Sequence, residues 1–175
     1  MGIKEEKQAV RDTIKASTKM VTFYRTEASD KVINDLKKLD IFIKAKSICI
    51  YKPFVNEIDT MPIIKESLKL NKKVYIPKIT PKGMELQELE RLIGEEERLD
   101  IFKYGNIYEG DVELILVPGV AFDHERNRLG RGQGNYDKYL SKHKTYSIGL
   151  AFMEQIVEKL PVEDHDQKVN LVIFG

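Results

Sequence analysis

Apolar residues recur at two spacings along the chain, one typical of helices and the other of buried strands. Spacings of three and four residues predict helices over residues 3–17, 27–42, 60–70 and 135–142. In the first of these, Val10 and Ile14 lie on one face. The third has Thr60 at its N-cap position and Pro62 in its first turn, and both are favourable at the start of a helix.

Short continuous apolar runs, each bounded by turn residues, predict buried strands instead. They cover residues 45–51, 73–77, 84–89, 112–117, 147–150 and 169–174. Pro77 is expected to end the second strand, and residues 99–109 are expected to be loop or extended chain. Residues 95–97, all glutamate, are expected to be a solvated run of charge.

The alternation of strands and helices predicts an α/β fold. The strand–helix–strand unit over residues 45–77 indicates a parallel crossover. We expect one domain over residues 1–175, built as three layers with a mostly parallel central sheet flanked by helices. In open sheets of this class, ligands bind beyond the carboxyl ends of the strands. The segments expected around a site are therefore 52–59, 78–83, 118–123 and 151–155.

The composition of the chain narrows the range of functions and locations to be considered. The formal net charge is +1, whereas proteins that bind nucleic acids or membrane surfaces through bulk electrostatics usually carry a larger excess. The apolar runs are shorter than a membrane span, and no secretory signal is visible. Cys49 is the only cysteine, which excludes an intrachain disulfide and fits a reducing compartment. We therefore expect a cytoplasmic protein with neither nucleic acid nor membrane as a partner.

Candidate chemistry concentrates in a stretch that reads LILVPGVAFD over residues 114–123 and RLGRGQGNYD over residues 128–137. The first part predicts a buried strand closed by a Pro–Gly turn. In the second part, alternate glycines let the backbone approach a ligand closely, and the N–H groups of such a loop form an anion-binding concavity. A flexible turn is the alternative explanation for the glycines alone. Their spacing is neither that of a P-loop nor that of the full dinucleotide fingerprint.

Three charged residues of this stretch strengthen the case for a nucleotide. Arg128 and Arg131 offer forked donors suited to phosphate oxygens. Asp137 follows at the predicted start of a helix, where its carboxylate could hold Mg²⁺ beside those phosphates. Strand, glycine loop, arginines and carboxylate together suggest a nucleotide site.

The pattern VPGxAFD followed by RLGxGxGxYD resembles the signature of the 5-formyltetrahydrofolate cyclo-ligases, also called methenyltetrahydrofolate synthetases. The resemblance spans nearly the whole chain and is weakest over residues 80–110. It implies that 5-formyltetrahydrofolate is converted to 5,10-methenyltetrahydrofolate with ATP and Mg²⁺, releasing ADP and phosphate. In the mechanism it implies, the formyl oxygen attacks the γ-phosphoryl group to give an N5-iminium phosphate, and N10 then closes the ring.

The resemblance also assigns the nucleotide site. Lys7 and Arg11 match the family's Lys-x-x-Leu-Arg motif, and their spacing of four residues projects both from one helix face. A solvated basic face is the alternative for this pair. The residues assigned to ATP are Lys7, Arg11, Arg128, Gly130, Arg131, Gly132, Gln133, Gly134, Asn135 and Tyr136. Arg131 and Asp137 are assigned catalytic roles, and Asp137 and Asp166 are assigned to Mg²⁺, although a solvated acidic loop is the alternative for Asp166.

On the folate side, the segment YKPFVNEIDT over residues 51–60 resembles the family's substrate motif. Glu57 matches the glutamate that contacts the pterin, whose N–H donors a carboxylate can accept in pairs. An ordinary loop acid is the alternative for Glu57. Phe54 is either a ring that stacks on the pterin or a buried anchor. The residues assigned to the folate are Lys52, Phe54, Glu57, Arg131, Gln133 and Asn135.

Several positions depart from the family pattern, among them Gly110, which follows Glu109 where the family usually has Glu-Pro. Arg126 stands where glycine is usual, so the turn there is expected to differ. Gln133 stands where Lys or Gly is common, and Asn135 replaces the first Tyr of Tyr-Tyr-Asp, so that affinity is affected more than reaction type. Two other functions stay open: a folate- or nucleotide-binding protein without ligase activity, and a nucleic-acid-binding module, which the low net charge argues against. A monomer is expected.

Overall fold

The structure is a computed structural model that describes residues 2–93 and 101–175, so the predicted charge run at 95–97 lies outside the described residues. The α-helices in these ranges are α1 (Ile3–Ser17), α2 (Arg25–Lys37), α3 (Asp40–Lys44), α4 (Met61–Lys69) and α5 (Asn135–Leu140). The strands are β1 (Ser47–Cys49), β2 (Lys73–Thr80), β3 (Gly83–Ile93), β4 (Ile101–Tyr108), β5 (Leu114–Pro118), β6 (Ala121–Asp123), β7 (Arg128–Leu129), β8 (Tyr146–Ala151), β9 (Ile156–Val157) and β10 (Leu171–Phe174). Short 3-10 turns cover Thr18–Phe23 and Met153–Gln155.

Seven of these strands form one sheet in the order β10-β8-β5-β1-β2-β3-β4. The first five in this order run parallel to one another, and β3 and β4 extend the sheet as an antiparallel hairpin. Strands β7, β6 and β9 form a second, three-stranded sheet. The predicted α/β fold with a mostly parallel central sheet is thus confirmed.

Helices cover both faces of the large sheet, because successive strand residues point to opposite sides. On one side, Ile48 belongs to a core that includes residues of α2 and α4. On the other side, Cys49 packs in a core with Tyr139 of α5. A third apolar cluster joins Ile14 of α1 to Leu129 of β7, which brings the N-terminal helix beside the glycine loop.

The predicted helix over 27–42 is wrong in its extent, because the chain leaves helical geometry between α2 and α3. Leu39 has φ −73° and ψ 133°, which is extended backbone, and precedes α3 as its N-cap residue. The break turns the chain so that Phe42, which is 2% exposed, enters the main core.

The strand predicted to end at Pro77 continues to Thr80. Ile50 donates its N–H to the carbonyl of Tyr75 at 2.8 Å, so Tyr75 turns its backbone groups toward β1. Pro77 faces the same side two residues later, where β1 pairs no further. Since no donor is needed there, the proline does not interrupt the strand.

The segment predicted as loop or extended chain over 99–109 forms strand β4 in its described part. Its register with β3 shifts between Gln87 and Leu89 and again between Leu89 and Arg91. The antiparallel partner supplies hydrogen bonds that a local sequence pattern does not reveal. In the described part of the chain, no helix is long and apolar enough to cross a membrane.

Candidate functional site

A cleft of about 580 Å³, called the main cleft below, lies beyond the carboxyl ends of the parallel strands. Its walls are the segment after β1, the end of β2, the turn after β5 and the glycine loop (residues 130–136). All six residues predicted for the folate line it: Lys52, Phe54, Glu57, Arg131, Gln133 and Asn135. The structure therefore brings together two segments that are more than 70 residues apart in sequence.

A second cleft of about 320 Å³ opens against α1. Gln8, Arg11 and Lys15 line it from one face of the helix, as their spacing requires. Arg131 lines both clefts, as do Gly119 and Val120. These three residues form the wall that the two clefts share.

Glu57 is buried, with 8% of its surface exposed, and both of its carboxylate oxygens have hydrogen-bond partners. Its Oε2 accepts the N–H of Phe54 at 2.9 Å, and its Oε1 accepts a hydrogen bond from Arg131 Nη2 at 3.1 Å. The same Arg131 nitrogen donates to Asn56 Oδ1 at 3.2 Å. The Arg131 guanidinium also lies 5.0 Å from the centroid of the Phe54 ring. Phe54 is 62% exposed, which excludes the buried anchor that was its alternative role.

The shape of the glycine loop depends on its glycines for two reasons. Gly132 and Gly134 have φ of +97° and +65°, in the left-handed region that side chains disfavour. Gly130 is crowded instead, because a Cβ atom there would lie 2.7 Å from Arg128 Nη1. Arg11 Nε donates to the carbonyl of Gly130 at 3.0 Å and so ties α1 to the loop.

Arg128 and Asp137 form a buried ion pair beneath this loop. Arg128 Nη2 lies 2.8 Å from Asp137 Oδ2, and the two side chains are 4% and 12% exposed. Arg128 Nη1 donates to the Pro118 carbonyl at 3.3 Å, while the other Asp137 oxygen accepts the N–H of Gln167 at 3.1 Å. Both predicted site residues thus contact each other, and removal of one would leave the other charge buried without a partner.

Lys7 lies between two carboxylates of the C-terminal loop. Its Nζ is 2.5 Å from Asp166 Oδ2 and 2.8 Å from Glu163 Oε2. Burial lowers the pKa of Lys7, but the hydrogen bonds with Asp166 and Glu163 outweigh it and raise the pKa overall. Burial likewise raises the pKa of Asp166, and the hydrogen bonds from Lys7 and the Glu163 N–H outweigh it and lower the pKa. These groups therefore carry opposite charges at neutral pH.

The same loop offers ligand atoms for a cation. One donor atom from each of Glu163, His165 and Asp166 lies within 4.8 Å of the others, and Asp137 is not a member of this group. Carboxylate oxygens are the ligands that Mg²⁺ prefers, so the donor chemistry at Asp166 fits this ion. An ion bound there would compete with the ammonium of Lys7.

Most residues that line the second cleft had no individually predicted site role, among them Lys15, Asn56 and Gln155. Lys15 follows Arg11 by four residues, and this continuation of the basic helix face is a signal that the sequence carries. Gln155 Nε2 donates to the carbonyls of Gly119 and Val120 at 2.9 and 3.1 Å, which fixes the shared wall. Nothing in the local sequence marks Gln155 for this task.

Known proteins match the chain over most of its length. A sequence model of the 5-formyltetrahydrofolate cyclo-ligase family matches residues 3–175. The 5-formyltetrahydrofolate cyclo-ligase of Mus musculus is 37% identical over 150 residues, which are 74% of this chain and 73% of that protein. That of Escherichia coli K12 is 33% identical over 146 residues, 75% of this chain and 79% of that protein.

A solved structure agrees with these sequence matches. The NMR structure of Aquifex aeolicus 5,10-methenyltetrahydrofolate synthetase covers 96% of this chain and 89% of its own, with a TM-score of 0.80 and 32% identity. The resemblance seen in the glycine-loop motif is thereby confirmed. The chain belongs to the 5-formyltetrahydrofolate cyclo-ligase family.

Proposed function

We propose that this protein converts 5-formyltetrahydrofolate to 5,10-methenyltetrahydrofolate with ATP and Mg²⁺, releasing ADP and phosphate. The observation that carries this proposal is the contact of Phe54 and Glu57 with Arg131, which lies in the wall between two clefts. In this proposal the main cleft holds the folate and the second cleft holds the nucleotide. The γ-phosphoryl group is transferred from the nucleotide to the folate beside Arg131. Membership of the family supports the same reaction.

The main cleft receives the folate. The Glu57 carboxylate accepts N–H donors of the pterin, and the exposed ring of Phe54 stacks on its flat face. Lys52, Gln133 and Asn135 complete the contacts around the cleft. Arg131 donates to Glu57 Oε1, so a pterin that binds there would replace Arg131 at an acceptor that is already buried.

The second cleft receives the nucleotide. Arg11 lines it, whereas Lys7, one helical turn earlier, lies outside its lining and is paired with Glu163 and Asp166. Because the two residues share one face of α1, Lys7 would reach the phosphates from beside the cleft once it leaves those carboxylates. Of the glycine loop (Gly130, Arg131, Gly132, Gln133, Gly134, Asn135 and Tyr136), Arg131 lines this cleft, whereas most of the other residues line the main cleft. The phosphates would therefore reach the backbone N–H groups of the loop across the wall that the two clefts share. Arg128 supports this loop from below through its ion pair with Asp137, and its guanidinium occupies the space that a side chain at position 130 would need.

The proposed reaction requires the protein mainly to position the reactants and to stabilise the charge on the transferred phosphoryl group. The oxygen of the N5-formyl group attacks the γ-phosphorus of ATP. ADP leaves with the electron pair of the broken P–O bond. N10 then attacks the activated carbon, the N10 proton is lost, and phosphate departs with the former formyl oxygen. That oxygen is a poor leaving group until it is phosphorylated. Arg131 stabilises the charge on the transferring phosphoryl group, as phosphoryl transfer generally requires.

Asp137 and Asp166 would hold the Mg²⁺ of the nucleotide. Bound there, the ion would neutralise phosphate charge, as metal ions generally do in phosphoryl transfer. Gln167, whose N–H contacts Asp137, directly follows Asp166, and this connection supports a shared role for the two carboxylates. Lys7 contacts Asp166 in the structure, so it is positioned to exchange that carboxylate for a phosphate oxygen.

A spectrophotometric assay tests the function. Purified protein with 5-formyltetrahydrofolate and MgATP should give a rise in methenyltetrahydrofolate absorbance that disappears without ATP or on chelation of Mg²⁺. Arg131→Ala should lower the turnover rate at least about a hundredfold, as expected for loss of a group that stabilises developing charge. Asp137→Asn should remove most of the rate and raise the Mg²⁺ concentration needed for the activity that remains.

Lys69→Ala, at an exposed position on α4, is the matched control and should keep the wild-type rate. A folded protein that gives no absorbance change would contradict the proposal. Unchanged kinetics of Arg131→Ala would remove Arg131 from the mechanism.

The alternative is a folate- or nucleotide-binding protein without ligase activity. It is motivated by Arg126 and Asn135, two of the departures from the family pattern. Asn135 also hydrogen-bonds to Gln133, another departure, at 3.0 Å. Calorimetric titration that shows binding of both ligands, with no turnover, would establish this alternative.

The proposal also covers the domain organisation, the oligomeric state and the location of the protein. We propose that residues 1–175 act as one domain, as a cytoplasmic monomer, with small molecules and neither nucleic acid nor membrane as partners. The net charge of +1 is in keeping with this. Light scattering after gel filtration tests the monomer.

A further inference from the structure

The turn that carries Phe54 and Glu57 is held from outside the main cleft by Arg25, the first residue of α2. Arg25 Nε donates to the Glu57 carbonyl at 2.9 Å, and Nη2 donates to the Phe54 carbonyl at 3.4 Å. Its Nη1 lies 3.5 Å from Asp59 Oδ2. One guanidinium group therefore contacts both ends of the turn and the segment that follows it.

Ser29 holds the same segment one helical turn further along α2. Its side chain is buried, and its Oγ accepts the N–H of Asp59 at 2.9 Å. Because Val32 and Leu36 of α2 are fully buried in the main core, the face that carries Arg25 and Ser29 has a fixed position. The turn is thus anchored on a rigid element rather than only on its own loop.

The stability of α2 gives no reason for an arginine at this position. A cation at the first residue of a helix is unfavourable, because the N-terminal end of the helix dipole is positive. Arg25 lines neither the main nor the second cleft as described, so it does not meet a ligand there. What Arg25 does contact is the backbone of the two residues that we assign to the pterin.

We propose that Arg25 is a positioning residue for the folate. It fixes the backbone of Phe54 and Glu57 so that the ring and the carboxylate keep their places in the main cleft. This inference rests on the proposed assignment of the main cleft to the folate. Small displacements of binding groups are costly in preorganised sites, so loss of the guanidinium contacts should weaken folate binding without a comparable effect on the nucleotide.

Calorimetric titration of Arg25→Met with 5-formyltetrahydrofolate alone, and separately with MgATP alone, tests the proposal. Methionine keeps an unbranched apolar side chain of similar reach and removes every donor. The dissociation constant for the folate should rise about tenfold or more, the effect of losing a hydrogen bond from a charged donor, whereas that for MgATP should stay within twofold. Lys37→Met, which removes an exposed charge from the last turn of α2, should change neither constant.

Arg25→Lys provides the second variant. Lysine keeps the charge but cannot span two carbonyls and Asp59 with one forked group, so an intermediate loss of folate affinity is expected. If Arg25→Met does not fold, Arg25→Lys decides the question by the same criterion. A folate constant within twofold of wild type, or an equal rise in both constants, would overturn the proposal. Wild-type turnover, measured separately, shows whether the proposed function itself has failed.

Discussion

Arg126 shows how a single residue is accommodated where the family usually has glycine. It has φ +67°, the left-handed conformation that glycine adopts without strain. Its N–H donates to the Asp123 carbonyl at 2.9 Å, and its own carbonyl accepts the N–H of Val169 at 3.1 Å. These backbone contacts hold the turn in a conformation that costs a side chain about 1–2 kcal/mol.

Comparison of Arg126→Gly with Arg126→Ala isolates this backbone cost. Both variants lose the long contact from Arg126 Nη1 to the Asn170 carbonyl, at 3.4 Å, so they differ only in the Cβ atom. We expect the glycine variant to have a free energy of unfolding about 1 kcal/mol above that of the alanine variant. Urea denaturation of the two proteins at pH 7 measures the difference, and an alanine variant of equal or greater stability would contradict it.

At the scale of elements, Asp123 connects the end of β6 to two other segments. Its carboxylate accepts the N–H groups of Glu125 and Asn127 in the turn and of Leu160 beyond β9, at distances of 2.9 to 3.0 Å. Burial raises the pKa of Asp123, but these hydrogen bonds and that from the Asn127 side chain outweigh it. The pKa is therefore lowered below its ordinary value of 3.8.

This lowered pKa predicts a pH-dependent effect of Asp123→Asn. A carboxyl group with a lowered pKa in the folded protein stabilises it above the unfolded pKa, and this contribution is lost as the pH falls through the folded pKa. We expect Asp123→Asn to lower the free energy of unfolding by about 2 kcal/mol at pH 7, since hydrogen bonds to a charged group are replaced by neutral ones. The difference from wild type should shrink below pH 3.8.

Urea denaturation of both proteins at pH 7, pH 4.5 and pH 3 gives this difference directly. A difference that is constant over this range would show that the charge of Asp123 contributes nothing.

The elements also show what the sequence could predict. Parallel strands such as β5 are buried on both faces, so they read as continuous apolar runs and are easily recognised. Strand β4 lacks such a run, and β7 and β9 have only two residues each, too few for any period to show. The break between α2 and α3 has no glycine or proline to mark it.

The candidate site, like the fold, contains features that the sequence could predict and features that it could not. Glu57 and Arg131, to which we assign ligands as a proposal, stand in motifs that the sequence displays, because binding chemistry requires particular residue types at fixed spacings. Arg25 is not, because it acts on backbone carbonyls that any sequence would present. Contacts of that kind depend on where the fold places α2, and only the structure supplies that information.

At the scale of the whole molecule, the position of Arg131 links the two clefts. Under the proposed ligand assignment, Arg131 and a pterin compete for the Glu57 carboxylate, while Glu57 and the nucleotide phosphates compete for Arg131. A nucleotide that draws Arg131 away therefore frees Glu57 for the folate. Binding of the two ligands should be positively coupled, and the coupling must be reciprocal.

We expect a non-hydrolysable ATP analogue to lower the dissociation constant for 5-formyltetrahydrofolate about fivefold or more, near the lower end of typical coupling. In Arg131→Ala the two constants should be independent, because Glu57 is then free in both states. Calorimetric titrations with and without the second ligand measure both factors. Equal coupling in wild type and Arg131→Ala would show that Arg131 does not transmit it.

The contact of Lys7 with Asp166 has a consequence for the synthesis of the protein. The two residues are 159 positions apart, so a ribosome makes one long before the other. At about 5–20 residues per second, the interval is roughly 8–30 s. Throughout that time the emerging α1 has neither of the carboxylates that bury its Lys7 ammonium. A chain arrested before residue 163 would therefore keep this lysine exposed, and the contacts that bury Lys7 would be among the last in the molecule to form.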